Sequence, residues 1–455
     1  MPSGVSNRQI TEGVIWKQIL AFFFPILLGS FFQQLYNTVD AIIVGRALGT
    51  EALASVGASG PILNLVYGFF IGMSSGATVI LSQFYGAGDW DGVKKALHTG
   101  MALALTLGMV IAVAGIHLAP QILALIGTPE NCMEGAVTYC RIFFGGAAAS
   151  MVYNMGSGIL RAMGDSRRPM IFLIICCFIN IAADILFIYV FNMGIAGAAL
   201  ATILSQLISA VLILTVLMKQ DDSCKLELKR IRFHKNVLFS ILRIGVPGGI
   251  QLMMFDFSNL IVQSSINSFG DAAVAAWTAF GKADGMTWQI SSALGVSVTT
   301  FVGQNFGAQK YDRIRRSVWI CIGLGIAMVG GLSVLEFTFR RSLLGIFTTD
   351  PEVIRVGTEM MSSIVLFNTI FIFIEIFAGT MRGTGYALQP TLIMCICVCF
   401  FRVLWVLMAV DRWHTMTMLC LAYPISWVLC ASVFFIFYLK GDWLRSRIKA
   451  LGMSL

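Results

Sequence analysis

The sequence predicts an all-α integral membrane protein, with twelve transmembrane helices in two six-helix bundles related by an internal parallel repeat. Three observations predict it. Hydrophobic residues make up 57% of the 455-residue chain and charged ones 12%, with a mean hydropathy of +0.83, whereas soluble domains carry about 25% charged residues. Apolar runs long enough to cross a bilayer, roughly 20 residues each, recur from end to end. Three segments of the first half return in the second half at one fixed spacing.

In order, the runs cover 15–44, 52–82, 96–118, 132–160, 169–191, 195–218, 237–268, 277–304, 317–339, 353–380, 389–410 and 414–439. The first is long and does not finish in a small-residue cleavage site, so it reads as a retained helix and not as a signal peptide. The polar stretch "KQDDSCKLELKRIRFHK", 219–235, separates the sixth run from the seventh. The expected domains are therefore an N-terminal bundle over 1–218, a cytoplasmic linker over 219–235 and a C-terminal bundle over 236–455.

The repeat is read from local matches. "SQFYGAG" at 82–88 returns as "GQNFGAQ" at 303–309, "GILRAMGDSRRP" at 158–169 as "GTMRGTGYALQP" at 379–390, and "LGTEALA" at 48–54 as "FGDAAVA" at 269–275, all 221 residues apart. Pro25 and Pro247 are 222 apart. Six crossings per half leave both halves in the same orientation, the arrangement of a parallel repeat about an axis along the membrane normal. Repeats of this kind build transporters that work around a midplane site.

The formal net charge is +8, and its placement explains it without a nucleic-acid partner. With the N-terminus in the cytoplasm, 22 of the 31 Lys and Arg residues fall on the cytoplasmic side, Arg8, Arg445, Arg447 and Lys449 at the termini among them. Five, Arg46, Arg340, Arg341, Arg355 and Arg412, fall on the other side. The positive-inside rule thus places both termini in the cytoplasm of a cell with a multi-pass protein in its inner or plasma membrane. Eleven cysteines lie mostly within the runs. The trio Cys395, Cys397 and Cys399 spreads over a wide arc of a helix, which suits packing better than a thiolate cage. Four scattered histidines give a structural metal site little support.

An ionisable group at the bilayer centre costs about 2.5–3.5 kcal/mol on insertion scales, so such groups persist where they line a cavity or find partners. Ser30, Gln33, Asn37 and Asp40 share one stripe of the first run, with Tyr36 one turn below Asp40. Asn180 and Asp184 are stacked on the fifth run. Asn154, Thr202 and Tyr139 can reach the same interior from the fourth and sixth runs. This set of oxygens suits a small hard cation such as Na⁺, or a proton shared between carboxylates; the alternative is a hydrogen-bonded packing cluster. Adding 221 to Asp40, Asn180, Asp184 and Thr202 gives Ile261, Phe401, Trp405 and Tyr423, so ion binding is expected in the N-terminal bundle alone. The second half has its own acids, Asp256 and Glu375, read as substrate contacts or structural partners. Glu375 falls at the repeat position of Asn154. Asp284, close to Lys282, reads as half of a local ion pair.

With these residues in hand, the chain resembles the multidrug and toxic compound extrusion (MATE) family over nearly its whole length. The matching stretches are "FPILLGSFFQQLYNTVDAIIVGRALG", the "GQ..GA" ends of the second and eighth runs, "R.MGD.R.P" before the fifth, "N...D" within it and "GVPGGIQ" opening the seventh. The resemblance implies a secondary efflux transporter exchanging organic, often cationic compounds for Na⁺ or H⁺. It implies a cation site at Asp40, Asn180, Asp184 and Thr202, with Tyr36, Tyr139 and Asn154 nearby. Another subgroup uses acids early in the seventh span and in the tenth; Asp256 and Glu375 lie close to those places without being in register.

No "GxxxxGK[ST]" phosphate loop occurs, so the expected driving force is an ion gradient and not ATP. The expectation is a non-enzymatic antiporter of small organic substrates, working by alternating access, monomeric in the lipid bilayer, with no cofactor beyond its coupling ion. Other readings of the same chain are a lipid-precursor flippase of the same superfamily, which would favour a strongly cationic cleft, and a channel or receptor.

Overall fold

The computed structural model describes residues 10–440 together with 443, 444 and 448. Arg8, Arg445, Arg447 and Lys449 of the charge argument lie outside the described residues. Every regular element among the described residues is helical.

The first helix runs Ile15–Ala87 and is interrupted at Gly49 (φ 88°, ψ −177°), which makes two spans, α1 (15–48) and α2 (50–87). α3 is Trp90–Leu125 and α4 is a pair, Glu130–Gly145 and Ala147–Ala162, bent by 51°. α5 is Arg167–Val190, α6 Gly194–Met218, α7 Lys235–Asn267 and α8 Asp271–Gly307. α9 is Tyr311–Thr338, α10 Pro351–Gly383, α11 Leu388–Met408 and α12 Met416–Lys440. Nine described helices are long and apolar enough to cross a membrane, ten with the bent pair. The break at Gly49 divides one of those into two spans. α8 falls outside that set, being diluted by Lys282, Asp284 and Gln289. Large apolar side chains such as Phe178, Phe239 and Leu407 point outward, as a bilayer allows.

The repeat is written into the backbone. Gly49 and Gly270 (φ 89°, ψ 178°) adopt the same conformation, one that only glycine visits without strain, and each stands immediately before the second span of its half. Gly164 and Gly385 (φ 89° and 87°) pair in the same way. Both members of each pair are 221 residues apart, so the equivalence inferred from sequence holds in space. Two of the four π-helical segments among the described residues, Ile185–Val190 at the end of α5 and Val406–Val410 running past the end of α11, also correspond.

The chain forms two compact units, one built on Ala21–Gly249, the other on residues from Ile250 onward with Thr11–Leu20. The linker and the first turns of α7 pack with the first unit. Glycines explain why. A Cβ on Gly72 would lie 2.2 Å from the Gly249 amide nitrogen, and one on Gly76 would lie 2.5 Å from the Ile241 carbonyl oxygen. α2 and the start of α7 therefore cross backbone to backbone, the close approach that small residues permit in membrane helices. His98 Nε2 accepts from the Glu227 amide (3.1 Å) and Thr99 Oγ1 from the His234 amide (3.2 Å), which fastens the linker to α3. The first unit's core includes Val44, Leu63, Leu123, Phe143, Phe144 and Ile188.

Candidate functional site

α1 brings Asp40 to α5, where Asp184 is the last α-helical residue before the π-helical segment. A π turn widens the helix and such turns often mark functional sites. The two carboxyl groups lie against each other and are 8% and 0% exposed. Asn180, one turn before Asp184, is buried as well. The Thr202 hydroxyl on α6 lies beside the Tyr139 phenol from α4 and donates to the Ala198 carbonyl at 3.2 Å. Tyr36 lies near Gln33, Tyr67 and Tyr139. The Tyr67 hydroxyl in turn accepts from Gln206 Nε2 at 2.5 Å, and the Gln206 oxygen accepts from Ser150.

Of the seven residues expected here, Tyr36, Asp40, Tyr139, Asp184 and Thr202 lie near one another, and Asn180 is buried one turn from Asp184. Asn154 does not join them: its Nδ2 donates to the Ser150 carbonyl at 2.9 Å. Of the stripe on α1, Gln33 and Asn37 are exposed and Asp40 is buried.

What the group lacks is positive charge. Asp40 Oδ1, both Asp184 oxygens and both side-chain polar atoms of Asn180 are buried with no hydrogen-bond partner. No lysine or arginine among the described residues makes an ion pair with either acid. An unmade buried hydrogen bond costs about 1–3 kcal/mol, more for a charged group, and two carboxylates in contact add mutual repulsion. A proton or a small cation among these oxygens would remove both penalties.

The second unit is different. Asp256 is half-buried on α7. Glu375 on α10 pairs with Arg382 at 3.5 Å and lies against Gly295, where a Cβ would meet its Oε2 at 2.4 Å. Neither takes part in the Asp40–Asp184 contact. Asp284 is not an ion-pair partner of Lys282, which is exposed while Asp284 is buried; burial turns the carboxylate instead to Asn368 Nδ2 (2.6 Å) and Trp288 Nε1 (2.8 Å). It also touches Glu336 of α9, an acid that sequence reasoning passed over because it stands near the end of an apolar run. A fully buried Arg402 sits 4.0 Å from the Tyr423 ring centre and 5.4 Å from that of Phe255. Its Nη1 donates to Asn259 at 3.0 Å, and its Nε and Nη2 have no partner. All eleven cysteines are free.

The MatE family profile matches residues 25–186 and 247–407, once per half. Among curated proteins, the "Probable multidrug resistance protein YoeA" of Bacillus subtilis is 30% identical over 83% of each chain. The "Probable multidrug resistance protein NorM" of Thermotoga maritima is 27% identical over 96% of each. Among solved structures, a MOP superfamily transporter from Pyrococcus furiosus superposes with a TM-score of 0.89 over 100% of both chains at 22% identity, a likeness of fold.

Proposed function

Because the chain belongs to the MatE family of multidrug efflux transporters, we propose that it is a secondary antiporter exporting organic, cationic or amphipathic compounds in exchange for H⁺ or Na⁺. One observation carries this reading: the contacting carboxyl groups of Asp40 and Asp184, with their partnerless oxygens and no cation beside them.

Asp40 and Asp184 hold the ion. Asn180 and Thr202 supply neutral oxygens, Tyr139 orients Thr202, and Tyr36 closes the group toward α1. Bound H⁺ or Na⁺ draws α1 and α5 together at this point; its loss leaves two like charges in contact and pushes them apart. Because α1 carries Pro25, which interrupts its hydrogen-bond ladder, that push can bend the helix. Ion binding drives export in alternating access only if ion and substrate favour different states, since a ligand indifferent to state shifts nothing. The distribution of Lys and Arg supports cytoplasmic termini.

The test is reconstituted transport of a panel of fluorescent organic cations under an imposed Na⁺ or proton gradient, one at a time. We expect one gradient to drive uptake against a substrate gradient, and Asp40→Asn and Asp184→Asn each to abolish it. Full gradient-driven transport by either variant would overturn the assignment, and indifference to both gradients would overturn the antiporter.

A further inference from the structure

The second unit holds a second pair of contacting acids, and its wiring differs from that of the first. Asp284 on α8 is 2% exposed and Glu336 on α9 is 3% exposed, and their carboxyl groups touch. Three of the four oxygens have donors: Asp284 Oδ1 accepts from Asn368, Asp284 Oδ2 from Trp288 and Glu336 Oε1 from Thr287 at 3.1 Å. The fourth, Glu336 Oε2, is buried with no partner.

On α8, Lys282 is exposed. Just beyond α9, Arg340 is turned onto the Phe337 ring, 4.4 Å from its centre, and onto the Phe337 carbonyl. On α10, Glu375 is engaged with Arg382. On α12, Trp427 packs on Trp288, with Tyr423 next along the helix. On α7, Phe255 packs on Trp288, and Asp256 beside it in sequence is half-buried. No lysine or arginine among the described residues makes an ion pair with Asp284 or Glu336.

We propose that Asp284 and Glu336 form a second proton-binding site, holding one proton on Glu336 Oε2 and donating it to the Asp284 carboxylate. Two like charges in contact in a buried place cannot both persist, and the donor pattern says where the proton goes. Every other oxygen already accepts an N–H or O–H, so a carboxylic acid O–H at Glu336 Oε2 is the one missing donor. With it, each polar atom of the pair is satisfied. Sodium suits the place less well, because Asn368, Trp288 and Thr287 all present donors to the pair, and donors repel a cation. The site is no copy of the first. Asp284, Glu336 and Asn368 stand at the repeat positions of Leu63, Gly115 and Ala147, so this half acquired its own polar cluster where the other keeps apolar or small residues.

The two proton sites are separable by experiment. Purified full-length protein carrying both Asp40→Asn and Asp184→Asn, which empties the first site, is examined by infrared spectroscopy as pH is varied. We expect a protonated-carboxyl stretch to remain, and adding Glu336→Gln to remove it along with one proton from the acid uptake of the protein. Asp284→Asn should keep the band and move its titration to lower pH, because the neighbouring charge that favours the protonated form is gone; a purely structural role would not move that titration. A spectrum and proton uptake unchanged by Glu336→Gln would overturn the proposal. So would a band that follows Na⁺ concentration instead of pH, or loss of the folded protein with both Glu336→Gln and Asp284→Asn. None of these results depends on whether Asp40 and Asp184 couple transport.

Discussion

The two halves of this chain share a backbone and differ in where they bury charge. Gly49 and Gly270, or Gly164 and Gly385, hold the same dihedral angles 221 residues apart, and α2 packs on α4 as α8 packs on α10. Ser74 donates to the Asn154 carbonyl, while Gly295, its counterpart, receives the side chain of Glu375. Gly115 leaves room for the Phe144 ring, which a Cβ would meet at 2.3 Å; at the matching places stand Glu336 and the smaller Val365. At Glu375 and at Glu336, the half that gains a carboxylate has a smaller residue at the matching neighbour, Gly295 for Ser74 and Val365 for Phe144. The comparison teaches that duplication conserved the positions needing special backbone geometry and left side-chain volume and charge free to be exchanged in matched pairs.

The sharpest way to break that equivalence is at the crossing of α2 with α7. Gly76 corresponds to Ser297, yet a Cβ at Gly76 would lie 2.5 Å from the backbone oxygen of Ile241. Gly76→Ser, which only imports the other half's residue, must therefore separate two helices, at a cost of about 3 kcal/mol. The reciprocal Ser297→Gly removes a hydroxyl bonded within its own helix to Ala293 at 2.7 Å and costs about 1 kcal/mol in helix propensity. Thermal unfolding in detergent should rank them in that order. Equal losses would mean that the glycine contact is not what holds this part of α7 in the first unit.

A smaller effect is expected where the halves trade an amide for an acid. The Nε of Arg382 and that of its counterpart Arg161 are both buried with no partner, but Arg382 has Glu375 at 3.5 Å, whereas Arg161 has Asn154 where Glu375 would be. Glu375→Asn should cost about 2 kcal/mol, the scale of a hydrogen bond to a charged group. If matched volume is the rule, Asn154→Glu should be tolerated together with Ser74→Gly and not alone, a coupling that a double-mutant cycle measures directly.

Twelve spans, two halves and their common offset were legible in the sequence because apolar length and glycine-bearing matches are one-dimensional signals. Asp40 with Asp184 was legible for a similar reason: acids with amides at helical spacing stand out in apolar runs. Three-dimensional facts were not. Asn154 has the right spacing and turns to its own helix's carbonyl. The pairing of Asp284 with Glu336 spans two helices, and the proximity of Lys282 in sequence obscured it. The π turn after Asp184 depends on helix packing and has no residue signature. The packing of the first turns of α7 with the first unit was hidden because it rests on the backbone approach at Gly72 and Gly76.

The smallest difference lies in how each half ties the segment leading into a first helix. In the second unit, Lys310 donates to the Thr11 carbonyl at 3.0 Å, and Arg313 donates to the Gly13 carbonyl at 2.8 Å and to Gln18 at 3.0 Å. In the first unit the tie is His234, on Thr99, with Arg232 donating to its Nε2 at 3.3 Å. Burial, and then the positive charges of Arg232 and Lys95, hold the His234 imidazole below its usual value of 6.5. The folded linker therefore favours the neutral ring. Its contribution is present above the unfolded value and is lost as pH falls below about 6.5, because protonation sets a second cation against Arg232. Lysine and arginine do not titrate in that range. Hydrogen exchange, corrected for intrinsic rates, should show severalfold faster opening of the amide of His234 at pH 5 than at pH 8, and no such change in the segment 11–18. An Asn at position 234, made as His234→Asn, should erase the pH dependence while keeping the segment in place. Equal responses in the two segments would show that the tie in the first unit does not depend on the histidine.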